Sequence, residues 1–121
     1  MDLYRQELMD HYQRPRNHGK LENADFESSL LNPSCGDSIA YQGKIEDDYI
    51  VAVRFTGKGC VISQATASIL SEKVKGLSRA EVMQLDKTSI QTMIGIELGP
   101  TRLRCALLPL EALQHGVQVA N

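Results

Sequence analysis

The sequence predicts an α+β chain: an N-terminal helix, a small antiparallel meander of three strands, then several helices to pack on it. Three observations predict this. The apolar period is helical over the first dozen residues, falls to two through the middle, and returns to 3.6 after Cys60. A turn cluster, Glu46-Asp47-Asp48, separates two runs rich in β-formers. Capping signals then recur through the C-terminal half. The 121 residues suit one domain spanning 1–121, with no repeat, low-complexity tract or linker to divide it.

Residues 2–13 form the first expected helix, with Tyr4, Leu8, His11 and Tyr12 on one stripe and Pro15 to stop it. A polar connector follows to Glu22. Strands are expected over 26–31, 38–45 and 49–56. Ile39, Tyr41 and Ile45 alternate in the second except at Gly43, and Ile50 to Phe55 is the most β-prone stretch. From Ile62 to Lys75, Ile62, Ala65, Ile69, Leu70 and Val74 mark a core-facing helix whose small residues allow close packing, with Gly76 as its C-cap. Ser78-Arg79-Ala80-Glu81 is a capping box that opens a short helix to about Gln84, and Asp86 caps another over 87–94. Residues 95–100 read as a connector. Pro109 reads as the first residue of the last helix, which carries Leu110, Leu113 and Val117 inward.

Composition excludes several classes of function. Apolar content of 42% and charged content of 23% are ordinary for a globular chain. A net charge of −2 offers no basic footprint for nucleic acid. No apolar run approaches a membrane span, and the polar start lacks a signal peptide's apolar segment. A cytoplasmic location is therefore expected, where thiols stay reduced, and three cysteines do not form a closed disulfide frame.

The cysteines carry the chemistry. Cys35 lies in Asn32-Pro33-Ser34-Cys35-Gly36-Asp37, Cys60 ends Gly57-Lys58-Gly59-Cys60, and Cys105 follows Arg102-Leu103-Arg104. Glycine, proline and cationic neighbours suit a thiol that meets a metal or a reagent in an exposed loop. Each cysteine is expected at an element boundary. Cys60 and Cys105 stand just before helices whose positive dipole ends favour the thiolate, and Lys58 and Arg104 add positive charge. The spacings do not match a zinc finger.

Three converging thiolates need a fourth ligand for a tetrahedral site, and Asp37 is the best candidate. It stands two residues from Cys35, a separation that strand alternation returns to one face, and Gly36 permits the bend. Such a set suits zinc, or a [2Fe–2S] cluster held with one oxygen ligand and hence labile. The plainer alternatives are that the cysteines are core residues, which has some force for Cys105 beside Ala106-Leu107-Leu108, and that Asp37 only serves a turn. His11, His18 and His115 read as structural or solvated rather than as ligands, and Arg14 and Arg16 as a solvated face.

On these motifs the chain resembles the U-type iron–sulfur cluster assembly scaffolds, the IscU, SufU and NifU N-terminal group. The likeness covers nearly the whole chain. It rests on Leu3-Tyr4-Arg5-Gln6, Met9-Asp10-His11-Tyr12 and Pro15-Arg16-Asn17. It rests further on the Cys35 motif, on Gly57 to Ser68, and on Arg102 to Ala106 with Leu110-Glu111-Ala112-Leu113. The resemblance implies an α+β fold, a three-stranded antiparallel sheet with an N-terminal helix and several C-terminal helices packed on it. It implies that Cys35, Cys60 and Cys105 accept sulfur and, with Asp37, hold a cluster or zinc. It implies a pyridoxal-phosphate cysteine desulfurase and apo iron–sulfur recipient proteins as partners of a monomer or weak dimer.

Some features depart from the family pattern. Arg104 stands where the IscU branch has a histidine, and arginine is not a ligand. The 45 residues from Cys60 to Cys105 leave no room for the SufU insertion. Leu98-Gly99-Pro100-Thr101-Arg102 replaces the Leu-Pro-Pro-Val-Lys chaperone motif of the IscU branch. The expectation is a scaffold that builds a transient [2Fe–2S] cluster and passes it on, a carrier rather than a turnover enzyme. The alternative is a zinc-dependent sulfurtransferase that relays persulfide to a separate scaffold. A purely structural zinc domain fits the open cysteine loops less well, and no His–acid pair supports a cysteine hydrolase.

Overall fold

Helix α1 (Leu3–Gln13) turns Leu8 and His11 inward in the computed structural model, which describes residues 3–120. The expected start of that helix at Asp2 lies outside the described residues. Tyr4 and Tyr12, expected on the packed stripe, are 49% and 40% exposed; the Tyr4 ring lies against Gly95, while Leu8 and His11 are buried. Asp10 is bracketed by the guanidinium groups of Arg14 and Arg16, and this pins the chain as it leaves the helix.

Three strands follow as an antiparallel meander in the order β1 (Phe26–Asn32), β2 (Asp37–Glu46), β3 (Tyr49–Lys58). β1 and β3 begin where expected and end one and two residues later, and β2 is one residue longer at each end. The β1–β2 ladder continues to the pair Asn32↔Asp37, and the β2–β3 ladder begins at Ser38↔Lys58. Asp47 and Asp48, both with positive φ, form the two-residue turn whose twist suits a hairpin. The glycine that interrupts β2 has a packing cause: a Cβ on Gly43 would meet the Phe26 ring at 2.3 Å.

The remaining helices are α2 (Val61–Lys73), α3 (Arg79–Gln84), α4 (Lys87–Ile94) and α5 (Pro100–Val119). Helices α2 and α5 cover one face of the sheet, and α1 packs on α2. Ile39, Tyr41, Val53 and Phe55 meet Ala65, Leu70, Ala106 and Leu113 in the core between these layers, where burying each large side chain contributes about 1.5–3 kcal/mol. The Tyr41 hydroxyl keeps a partner there, donating to the Ala67 carbonyl at 2.7 Å. Capping boxes at Ser78–Glu81 and Asp86–Ser89 start α3 and α4 as their sequences require.

Two expectations at helix ends are corrected. Val74, not Gly76, caps α2; Gly76 takes φ +90° two residues later and donates its N–H to the Ile50 carbonyl on β3. The last helix begins at Pro100, with Gly99 as N-cap, and Pro109 lies inside it. Inside a helix, proline removes one intrahelical hydrogen bond. Here the apolar surface of α5 against the sheet outweighs that loss, since Leu108, Pro109 and Leu110 are all buried.

Candidate metal centre

The helix correction moves Cys105. It lies in the second turn of α5, only 6% exposed, rather than in a turn before a helix. The other two cysteines are exposed and stand at element boundaries. Cys35 sits in the tight loop between β1 and β2. There the Asn32 carbonyl accepts the Gly36 N–H at 2.8 Å, and Asn32 Oδ1 accepts the Ser34 N–H at 3.1 Å. Cys35 and Asp37 are therefore not brought together by strand alternation. Only Asp37 belongs to β2, and Gly36, at φ +75°, turns the chain between them.

Cys60 is the N-cap of α2, its sulfur accepting the Ser63 N–H at 3.5 Å. Its own N–H donates to Asp37 Oδ1 at 2.8 Å, and its thiol donates to Asp37 Oδ2 at 3.3 Å. The Cys35 and Cys105 sulfurs stand 3.9 Å apart. One donor atom from each of Cys35, Asp37 and Cys105 lies within 4.8 Å of the other two. Cys60 joins the group through Asp37. The structure thus gathers all four residues singled out from the sequence at one end of the sheet.

The donor set fits a soft, tetrahedral ion. A metal with bonds of about 2.3 Å to sulfur holds its thiolates about 3.8 Å apart. The 3.9 Å Cys35–Cys105 separation is one such edge. Asp37 is 1% exposed. Burial opposes its ionisation, but the Cys60 N–H and the thiols of Cys35, Cys60 and Cys105 outweigh burial and hold its carboxyl below the usual range. Burial, the Asp37 contact and the nearby Cys60 push the Cys105 thiol well up. Without a cation the pocket therefore carries its charge on Asp37 and keeps Cys105 protonated.

Two clefts flank the thiols. One, of about 480 Å³, opens between α1 and α5 on Cys60 and Cys105; Met9, Ile62 and Ile96 line its apolar walls and Arg102 its rim. The other lies behind the Cys35 loop and takes in Arg104. The two arginines of the third cysteine motif thus serve different clefts. Sequence reasoning missed Gly59, which at φ +135° leaves the space that the Asp37 carboxylate occupies, and Ser63, whose N–H anchors Cys60. The run Gly57-Lys58-Gly59 was the available signal for the first.

The family model for the NifU-like N-terminal domain matches residues 3–119, which include all four donors. The chain belongs to this NifU-like N-terminal domain family. Among curated relatives, it is 36% identical to the zinc-dependent sulfurtransferase SufU of Bacillus subtilis, covering 95% of this chain and 89% of that protein. It is 33% identical to the iron–sulfur cluster assembly scaffold protein IscU of Escherichia coli K12, covering 94% and 91%. Among solved structures, it superposes with a TM-score of 0.78 on a candidate iron–sulfur cluster assembly scaffold for the SUF system from Fervidobacterium islandicum. That match is 29% identical over 92% of this chain and 93% of the other. The expected α+β architecture and family are thus both shown. No helix among the described residues is long and apolar enough to cross a membrane.

Proposed function

We propose that this chain is a cytoplasmic iron–sulfur cluster assembly scaffold. It accepts sulfur from a cysteine desulfurase and carries a transient [2Fe–2S] cluster, its cargo, to apo-proteins. The observation that carries this reading is the convergence of Cys35, Cys60, Cys105 and Asp37 at one edge, with Cys35 presented on an open loop.

Cys35 is the first sulfur acceptor. It is exposed, whereas Cys105 is buried and the Cys60 sulfur is engaged by Asp37 and the Ser63 N–H. The Cys35 thiolate attacks the outer sulfur of the desulfurase persulfide. A new S–S bond forms on Cys35, the old one breaks, and the desulfurase thiolate leaves. Three thiolates and Asp37 then supply the ligands for iron, and the single oxygen ligand keeps the cargo exchangeable.

The 3.9 Å edge favours a second reading, a zinc-dependent sulfur relay, because it fits one ion as it stands. Zinc bound by the same four residues would keep the ligand segments together and their thiols deprotonated. In this reading Cys35 takes the sulfur and passes it to a separate scaffold.

Anaerobic incubation with ferrous iron, cysteine and a desulfurase separates the two. A protein-bound cluster absorbing in the visible supports the scaffold. Persulfide on Cys35 and retained zinc, with no cluster, supports the relay. Unchanged sulfur uptake and metal content in Cys35→Ser would sink both.

A further inference from the structure

The cleft behind the Cys35 loop has a chemistry of its own. Its volume is about 390 Å³, at the small end of the roughly 300–1,000 Å³ range of small-molecule sites. One wall is the loop over residues 31–34, next to Cys35; the other is the face of α5 that carries Arg104, Leu108 and Glu111. Arg104 and Glu111 stand two turns apart, about 10 Å along the axis, which long side chains can close over a small head group. Both are exposed, and among the described residues neither side chain has a hydrogen-bond or ion-pair partner. Arg14 and Arg16 differ in this respect, since both are spent on Asp10.

An unpaired guanidinium and an unpaired carboxylate lining one small cleft match the carboxylate and ammonium of an α-amino acid, and the exposed Cys35, next in the chain after Ser34 of the cleft wall, gives a thiol on that amino acid something to react with. We propose that this cleft binds a free amino acid bearing a thiol, of the cysteine class. Arg104 holds its carboxylate, Glu111 holds its ammonium group, and its thiol takes the outer sulfur from a Cys35 persulfide. The transfer rests on the sulfur-accepting reading above; the binding does not. The incoming thiolate attacks the outer sulfur, one S–S bond forms as the Cys35 S–S bond breaks, and Cys35 leaves as thiolate. No oxidant or reductant is consumed. The site would give the protein a diffusible sulfur acceptor besides its protein partners.

Two measurements on the full chain test this. First, S-methyl-L-cysteine, which cannot accept sulfur, is titrated against isotopically labelled protein. Saturable shifts at the amides of Ser34, Arg104 and Glu111 are expected, lost in Arg104→Gln and in Glu111→Gln, each verified as folded by its thermal midpoint. No shifts in the unmodified protein would overturn the proposal. Second, Cys35 is charged with inorganic polysulfide, and sulfur release is timed with L-cysteine, cysteamine and 3-mercaptopropionate at equal thiolate concentration. L-cysteine should be faster than either by about tenfold, the gain expected of one charge-assisted contact, and both substitutions should erase the difference. Equal rates in the unmodified protein would overturn the acceptor role. If S-methyl-L-cysteine saturates the cleft but Cys35 takes no sulfur, the sulfur-accepting reading fails and the acceptor role falls with it, while the binding site stands.

Discussion

A Cβ placed on Gly59 would lie 2.0 Å from Asp37 Oδ1, so the Asp37 carboxylate fills the space that any other residue at position 59 would occupy. The φ of +135° at Gly59 adds backbone strain to that clash. Gly59→Ala must therefore displace Asp37 while leaving all three cysteines in the chain. The expected outcome is zinc affinity weakened about 10- to 100-fold, as for loss of a group that orients a ligand, read by competition with a chromogenic chelator. Unchanged affinity would show that Asp37 is not a ligand in that position.

Asp37 has an alternative place for its carboxylate. Oδ1 already accepts the Cys60 N–H at 2.8 Å, so the group can leave a metal without being stranded. On the scaffold reading, its departure would open a coordination position to a recipient's thiolate. Asp37→Ala has no such mobile arm. Its reconstituted cluster should outlast that of the unmodified protein and pass several-fold more slowly to an apo-ferredoxin, followed by visible absorbance. An unchanged transfer rate would remove Asp37 from the release step.

The sequence made the meander and the capped helices legible because each is written in local chemistry: period-two runs around Asp47-Asp48, and side-chain caps at Ser78 and Asp86. Cys35, Asp37, Cys60 and Cys105 were readable as a set from the residues around them. The start of the last helix was not, because two prolines compete for it. Pro100 follows a glycine and Pro109 follows a run of leucines, and both satisfy the first-turn rule. Packing of the 100–108 segment decides for Pro100. One consequence concerns the site directly: Pro109 has no N–H to offer the carbonyl of Cys105 four residues back, so the third thiol stands where the helix ladder is interrupted. The fit of Gly59 against Asp37 was also hidden, since it joins residues that meet only when β2 and the α2 N-terminus come together.

Cys60 has a structural duty separate from any metal. Its sulfur caps α2 by accepting the Ser63 N–H. In metal-free protein, Cys60→Ala should cost about 1 kcal/mol, a fall of roughly 4 °C in the melting midpoint for a domain of this size. Cys60→Ser, whose hydroxyl is the better cap, should hold or raise that midpoint while losing zinc affinity as the alanine variant does. If serine and alanine melt together below the unmodified protein, the thiol contributes nothing as a cap.

His11 sets a pH limit on stability. It is 3% exposed between α1 and α2, with Nδ1 2.7 Å from Ser68 Oγ. That oxygen also accepts the Arg16 N–H at 2.8 Å, and it can donate its own proton to Nδ1. Burial lowers the pKa of His11 and the charge of Arg16 adds to this, against the opposing pull of Glu72, Glu7 and Asp10. The folded state therefore binds the proton less readily than the unfolded chain, whose histidine titrates near about 6.5. Stability is full above that pH and declines as pH falls through it, because protons then favour the unfolded chain. Chemical denaturation between about pH 7.5 and 5.5, a window that brackets this value, should show the decline, with a smaller slope in His11→Gln. A slope that survives the substitution intact would move the effect to other groups and leave α1 docked by packing alone.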